Sequence, residues 1–319
     1  MDQGELVTSA PLAARLEVPS GPLFFPVTAY GPDGAVDLDT YRLHVRRGVE
    51  AGAAAVFAAC GTGEFHALTP EEFESCVRAA VEATEGRVPV VAGAGYGTAL
   101  AVRYARLAGD AGADGLLAMP PYLVKAGQEG LLRHYREIAA ATALPVIVYQ
   151  RDNAVFTPEA VAGLARTDGI IGLKDGHGDL DLMQRTVSAV RAADPGDFLY
   201  FNGLPTAELT QPAYRGLGIT LYSSAVFCFV PEIALACHTA LRTGDEAGVN
   251  RLIDGFYRPF VELRAKGHGY AVSLVKAGVR MRGLDVGEVR PPLHEPAGDH
   301  VKQLAQLIER GLALLEEDR

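Results

Sequence analysis

Eight short apolar segments, each breaking off into polar or glycine-rich sequence, set the strongest constraint on what this chain can fold into. They are PLFFPVT from Pro22, AAVFAAC from Ala54, VPVVAGAG from Val88, GLLAMPP from Gly115, PVIVYQ from Pro145, IIGLKDG from Ile170, LYFNGLP from Leu199 and ITLYSSA from Ile219. Successive segments are separated by about the length of a strand and the helix that returns the chain. The gaps carry helix-start chemistry. LDTYRLHVRRGVEAGA has Asp37 or Asp39 as its N-cap, and TPEEFESCVRAAVEATEGR offers Thr69 as N-cap, Pro70 at the first helical position and Glu72 two residues later. Thr157 opens TPEAVAGLAR with the same signal. Eight strands each followed by a helix predict an α/β protein, a (β/α)₈ TIM barrel over residues 21–245. Residues 1–20 read as a mobile N-terminal arm. Residues 246–319 read as an appended helical region, with VRPPLHEP as a proline-rich connector between its helices.

A doubly wound dinucleotide-binding sheet is the competing α/β architecture. Its support is GAGYG, Gly93 to Gly97, after the third strand. The spacing is GxGxG rather than GxGxxG, and the acid some twenty residues on, Asp114, precedes the next strand instead of ending it. The barrel is the better reading.

Composition narrows the function classes. The 319 residues are 49% hydrophobic and 21% charged with a net charge of -10, which predicts a cytoplasmic globular protein without a nucleic-acid or membrane partner. No apolar run reaches the roughly 20 residues of a membrane span, and the N-terminus lacks the basic and apolar regions of a secretion signal. Cys60, Cys76, Cys228 and Cys237 have no CxxC spacing and read as reduced, buried small hydrophobes. The eight histidines form no HxH or HxxxH set, so a metal-dependent aldolase is disfavoured and no metal or cofactor is expected.

In a barrel of this type the reacting groups sit where strands end, because the following loops build the active face. Reading those ends gives Gly61 and Thr62 after strand two, Tyr149 and Arg151 after strand five, and Lys174 on strand six. Strand seven adds Asn202 and Gly203, and strand eight adds Ser223 and Ser224. A strand that ends on a lysine inside a core is unusual, since lysine is rarely buried alone. Its amine suits attack on a ketone, giving an imine that acts as an electron sink. The alternatives are a lysine that snorkels to solvent or pairs with Asp175 or Asp179, and a Tyr149 that only packs. Arg151 either grips a substrate carboxylate or turns outward to a loop acid. His177 reads as a loop residue at the barrel mouth that tunes the site.

GTGE after strand two, a tyrosine ending strand five and GLKDGHGD after strand six together resemble the dihydrodipicolinate synthase / N-acetylneuraminate lyase family. The resemblance runs from about Gly21 to the C-terminal helices. It implies a class I lyase acting on a small 2-keto acid through a covalent lysine imine, and a homo-oligomer, dimer or tetramer. Lys174 takes the place of the Schiff-base lysine and Tyr149 that of the proton-carrying phenol. Thr62 lies in the loop that holds the substrate carboxylate. FAACGTGEF, YLVKAGQEGL, GLPTAE, YSSAVFCF, GYAVSLVKAG and VRPPL look like the branch that dehydrates and decarboxylates a six-carbon keto-deoxy-dicarboxylate. Departures from the synthase branch agree. Gly61 replaces a second threonine, and Leu123 follows Tyr122 where a second tyrosine would reach in from a neighbouring subunit. Ala154 occupies the place of the carboxylate-binding arginine, Cys60 replaces a glycine without an assignable role, and Arg151 stands three residues earlier. A pyruvate-dependent aldolase or synthase, and a non-catalytic keto-acid-binding paralogue, remain the other expectations.

Overall fold

The computed structural model describes residues 11–17 and 20–316. Eight parallel strands close into a barrel in sequence order: β1 (Leu23–Phe24), β2 (Ala55–Ala58), β3 (Val90–Ala94), β4 (Gly115–Ala118), β5 (Val146–Gln150), β6 (Ile170–Asp175), β7 (Leu199–Asn202) and β8 (Leu221–Ser224). Closure is made by β1 on β8, with Leu23 opposite Ser223 and Phe24 opposite Ser224. A closed sheet has no switch point for a dinucleotide. GAGYG is instead the end of β3 and the turn after it.

The helix starts follow the sequence chemistry. Asp37 caps Leu38–Ala51 by accepting from the backbone N–H groups of Asp39 and Thr40, which settles the choice between the two aspartates. Thr69 and Glu72 form a reciprocal capping box at the start of Pro70–Thr84, and Thr157 accepts from the N–H of Ala160. Each such cap is worth about 1 kcal/mol.

The N-terminal arm is corrected for the residues the structure describes. Leu12–Glu17 is a helix, and Leu12 and Leu16, four apart, are buried in one cluster with Leu23, Phe25, Phe57 and Ile147. Their shared face closes the floor of the barrel. Arg15 fixes the helix through an ion pair of 2.9 Å with Asp114. Residues 1–10, the remainder of the expected arm, lie outside the described residues, as do 18 and 19.

At the other end, Pro231–Thr243 follows β8, and Glu246–Leu252, Arg258–Arg264, Tyr270–Met281 and Gly298–Glu316 continue the helical region. A π-helical turn, Ile253–Tyr257, joins the first two of these. Their apolar residues Phe256, Phe260, Leu274, Leu304 and Ile308 belong to the same buried cluster as the outer layer of the barrel. No helix among the described residues is long and apolar enough to cross a membrane.

Candidate active site

Side chains along a strand alternate between two faces, so each strand end contributes one inward and one outward group. Tyr149, Lys174 and Phe201 are register partners on β5, β6 and β7, and they point into the barrel. One residue further on, Gln150, Asp175, Asn202 and Tyr222 are in register and face the surrounding helices.

The inward set forms a candidate reactive centre. Lys174 is 5% exposed, and its Nζ lies 3.8 Å from the centre of the Tyr149 ring and 5.3 Å from that of Phe25. The amine reaches the Gly203 carbonyl only at 3.5 Å, the long limit of a hydrogen bond. The Tyr149 hydroxyl donates to that same carbonyl at 2.9 Å and accepts from Arg151 Nη1 at 3.4 Å. Burial pushes the phenol up, but the charges of Lys174 and Arg151 and their hydrogen bonds outweigh it and hold its pKa below the usual tyrosine value. Lys174 and Tyr149 are thus buried and, among the described residues, not paired with an acid. Two glycines make this contact possible. A Cβ at Gly203 would stand 2.6 Å from Lys174 Cγ, and one at Gly176 would stand 2.8 Å from the Tyr149 hydroxyl.

Above this pair lies a cavity of about 300 Å³ lined by Lys174, Tyr149, Arg151, Gly61, Thr62, Gly203 and Ser223. Phe25 and Leu117 supply apolar wall. Arg151 lines the cavity and also meets the loop acid Asp152 at 3.2 Å. Nothing stands within 4 Å of a Cβ at Gly61, which leaves that position open toward the cavity mouth.

Two expected site residues are corrected. Asn202 is fully buried on the outward face, where its amide donates to the Ala207 carbonyl, Thr210 and Gln211. Ser224 is likewise outward; its hydroxyl donates to Glu208 and accepts from the Phe227 N–H. Both hold loops beneath the site rather than lining it. The reason is parity: Phe201 and Ser223 already occupy the inward positions. His177 is exposed and does not line the cavity; its backbone N–H donates to Asp175. Asp175 also accepts from Gln150 and the Tyr214 hydroxyl, so the acid beside the lysine anchors a turn and leaves the amine alone. Cys60 is buried, with its thiol pushed up to about 12 by burial, and packs in the inner cluster.

Other contributors were not anticipated. His66, Thr206, Phe260, Arg264, Val272 and Leu293 also line the cavity. The last four come from the helical region and its connector, which carry no strand-end signal. A fully buried ion pair ties that region to the Thr62 loop. Lys276 Nζ meets Glu64 Oε1 at 3.0 Å with both side chains at 0% exposure, and donates to the Glu288 carbonyl at 2.7 Å. The other Glu64 oxygen accepts from the Arg290 N–H. The glutamate of GTGE is therefore a structural anchor. Glu208, also 0% exposed, has Oε1 on Ser224 and no hydrogen-bond partner for Oε2 among the described residues, and burial lifts its pKa to about 7. Among the described residues no group of three or more His, Cys, Asp or Glu could hold a metal ion.

The model of the dihydrodipicolinate synthetase family matches residues 19–311. The chain belongs to that family. A curated relative from Streptomyces avermitilis, named probable 5-dehydro-4-deoxyglucarate dehydratase 1, is 84% identical over 98% of this chain and 99% of its own length. One of the same name from Streptomyces coelicolor is 81% identical over the same shares. Among solved structures, dihydrodipicolinate synthase from Bacillus clausii superposes with a TM-score of 0.85 at 28% identity, covering 94% of this chain and 99% of its own. Members of that family are lyases that work through a class I Schiff base.

Proposed function

We propose that this chain is a decarboxylating dehydratase that converts 5-dehydro-4-deoxy-D-glucarate to 2,5-dioxopentanoate, CO₂ and water in glucarate catabolism, within the cytoplasm. The observation that carries the chemistry is the isolated Lys174 amine stacked on a phenol of lowered pKa. The names of the relatives support the substrate. So does the charge of the cavity: Lys174, Arg151 and Arg264 line it, and no acidic side chain does among the described residues. Such a wall favours a ligand with two carboxylates.

The steps follow from the centre. Lys174 Nζ adds to the ketone carbon and water leaves, giving a protonated imine that acidifies the adjacent CH₂. Tyr149, having given its own proton to the hydroxide lost in imine formation, takes the CH₂ proton. The resulting enamine expels the hydroxyl one carbon further along, and the proton held by Tyr149 leaves with it as water. The iminium is now conjugated with a double bond whose far neighbour bears the second carboxylate. Cleavage of that carbon–carboxylate bond sends its electron pair along the chain to nitrogen and releases CO₂. The remaining hydroxyl becomes an enol that tautomerises to the aldehyde, and water cleaves the imine. Lys174 supplies the electron sink in both halves, so the reading needs no metal or organic cofactor. The carboxylate beside the ketone falls to Gly61 and Thr62, with Ser223 available to a hydroxyl.

Borohydride in the presence of 5-dehydro-4-deoxyglucarate should trap substrate-derived carbon on the peptide containing Lys174. Lys174→Ala should abolish both trapping and CO₂ release. Tyr149→Phe should still form the adduct, with turnover lowered about 10²-fold or more. Turnover of pyruvate with aspartate semialdehyde or with N-acetylmannosamine, and no CO₂ from the deoxyaldarate, would transfer the chain to the aldolase or synthase reading. A keto acid that binds without an adduct would make it a non-catalytic binder.

A further inference from the structure

We propose that Arg264 is the specificity-determining residue that grips the carboxylate remote from the ketone, presented by the strained Thr206 loop. The inference rests on the dicarboxylate reading above and assigns a role within it.

Arg151, the expected clamp, is engaged at the reacting end: its Nη1 donates to the Tyr149 hydroxyl and its Nε faces Asp152. Arg264 is placed differently. It is the last residue of the helix Arg258–Arg264, outside the barrel, and it lines the same cavity. Its Nη1 donates to Thr206 Oγ, and it forms no ion pair among the described residues. The carboxyl group whose field it feels is Glu208, whose own pKa near 7 leaves it a weak counter-ion at neutral pH. A guanidinium with spare donors, facing a cavity that contains no acid, matches the planar fork a carboxylate fills.

Thr206 supports the placement independently. It is buried at 3% exposure and holds a φ of 56°, a conformation that a β-branched residue adopts only when its surroundings impose it. It stands three positions on from Gly203, whose carbonyl takes the Tyr149 hydroxyl, so the two are at most about 10 Å apart along the chain. Arg264 also follows from chemistry: a one-carboxylate 2-keto acid has nothing to present to it.

The test compares two six-carbon 2-keto acids that cannot be dehydrated, 2-oxoadipate with two carboxylates and 2-oxohexanoate with one. Each is titrated against the full-length protein, and the imine at Lys174 is trapped with borohydride and weighed. Arg264→Gln should raise the half-saturating concentration of 2-oxoadipate about 10- to 100-fold, the loss of a charged hydrogen bond, while that of 2-oxohexanoate changes less than about twofold. Arg264→Lys should fall between, because it keeps the charge and loses the fork. Should Arg264→Gln lose both probes together, the Lys variant decides by the same ratio. Equal shifts for the two probes, or no shift for either, would overturn the assignment. Because neither probe turns over, this outcome is separate from whether 5-dehydro-4-deoxyglucarate is the substrate.

Discussion

At Glu208 the fold encloses a carboxyl group whose Oε1 takes the Ser224 hydroxyl and whose Oε2 has no hydrogen-bond partner among the described residues. Burial raises its pKa from 4.5 to about 7, against the smaller pulls of Ser224 and Arg264. Below pH 4.5 the group is protonated whether the chain is folded or not, and its neutral form fits the site. Between 4.5 and 7 the unfolded chain ionises first, so folding loses stability as pH rises; above 7 the loss is complete. Glu208→Gln removes this dependence. Its stability relative to the parent protein should grow between pH 5 and pH 8 by on the order of 3 kcal/mol in urea unfolding. A difference that stays constant across that range would mean the carboxyl titrates normally. Nothing in the sequence marks Glu208 in this way. GLPTAE carries a family resemblance but no sign of its face, and the parity of β8 brings Ser224 to it. Parity is also why Lys174 and Tyr149 were legible and Asn202 and Ser224 were not. A lysine or tyrosine at a strand end announces its face by its chemistry, whereas asparagine and serine fit either face.

Elements, rather than residues, explain why motifs far apart in sequence act together. The turn after β2 carries Gly61 and Thr62 into the cavity, and its Glu64, at φ 56°, is locked to Lys276 on the helix Tyr270–Met281. The Lys276 amine also lies 4.2 Å from the Tyr30 ring centre, so the pair is enclosed on every described side. Removing one partner strands a charge in the core. Lys276→Met should destabilise the protein by about 3–5 kcal/mol, whereas Lys276→Met with Glu64→Gln should recover much of the loss. Chemical denaturation of the single and double variants checks this; equal losses in both would show that shape, not charge, holds the contact. Barrel strands and helix caps were readable because each is written locally, as in the Thr69–Glu72 box. Contacts such as Glu64 with Lys276 span 212 positions and leave no local trace.

For the whole molecule, the apolar surface left uncovered is concentrated in the turn after β4. Tyr122, Leu123 and Val124 are 64%, 78% and 61% exposed, and Leu123 holds a φ of 59°. Three consecutive exposed apolar residues suit an interface, and we propose assembly into a homo-oligomer, dimer or tetramer, through this turn. Sedimentation should return a dimer or larger, and Leu123→Asp with Val124→Asp should shift it toward monomer with the helical signal intact. A monomeric parent protein at micromolar concentration would contradict the proposal. The helical region, meanwhile, shares the cavity wall with the strands: Phe260, Arg264 and Val272 line one side, and Lys276 braces the other. A fragment ending at Thr243 would keep all eight strands and Lys174, yet its cavity would stand open and the turn carrying Gly61 and Thr62 would lose its brace. Shuffling barrels among relatives could therefore exchange reactivity only together with the tail, and the unit that inherits an activity is the complete chain.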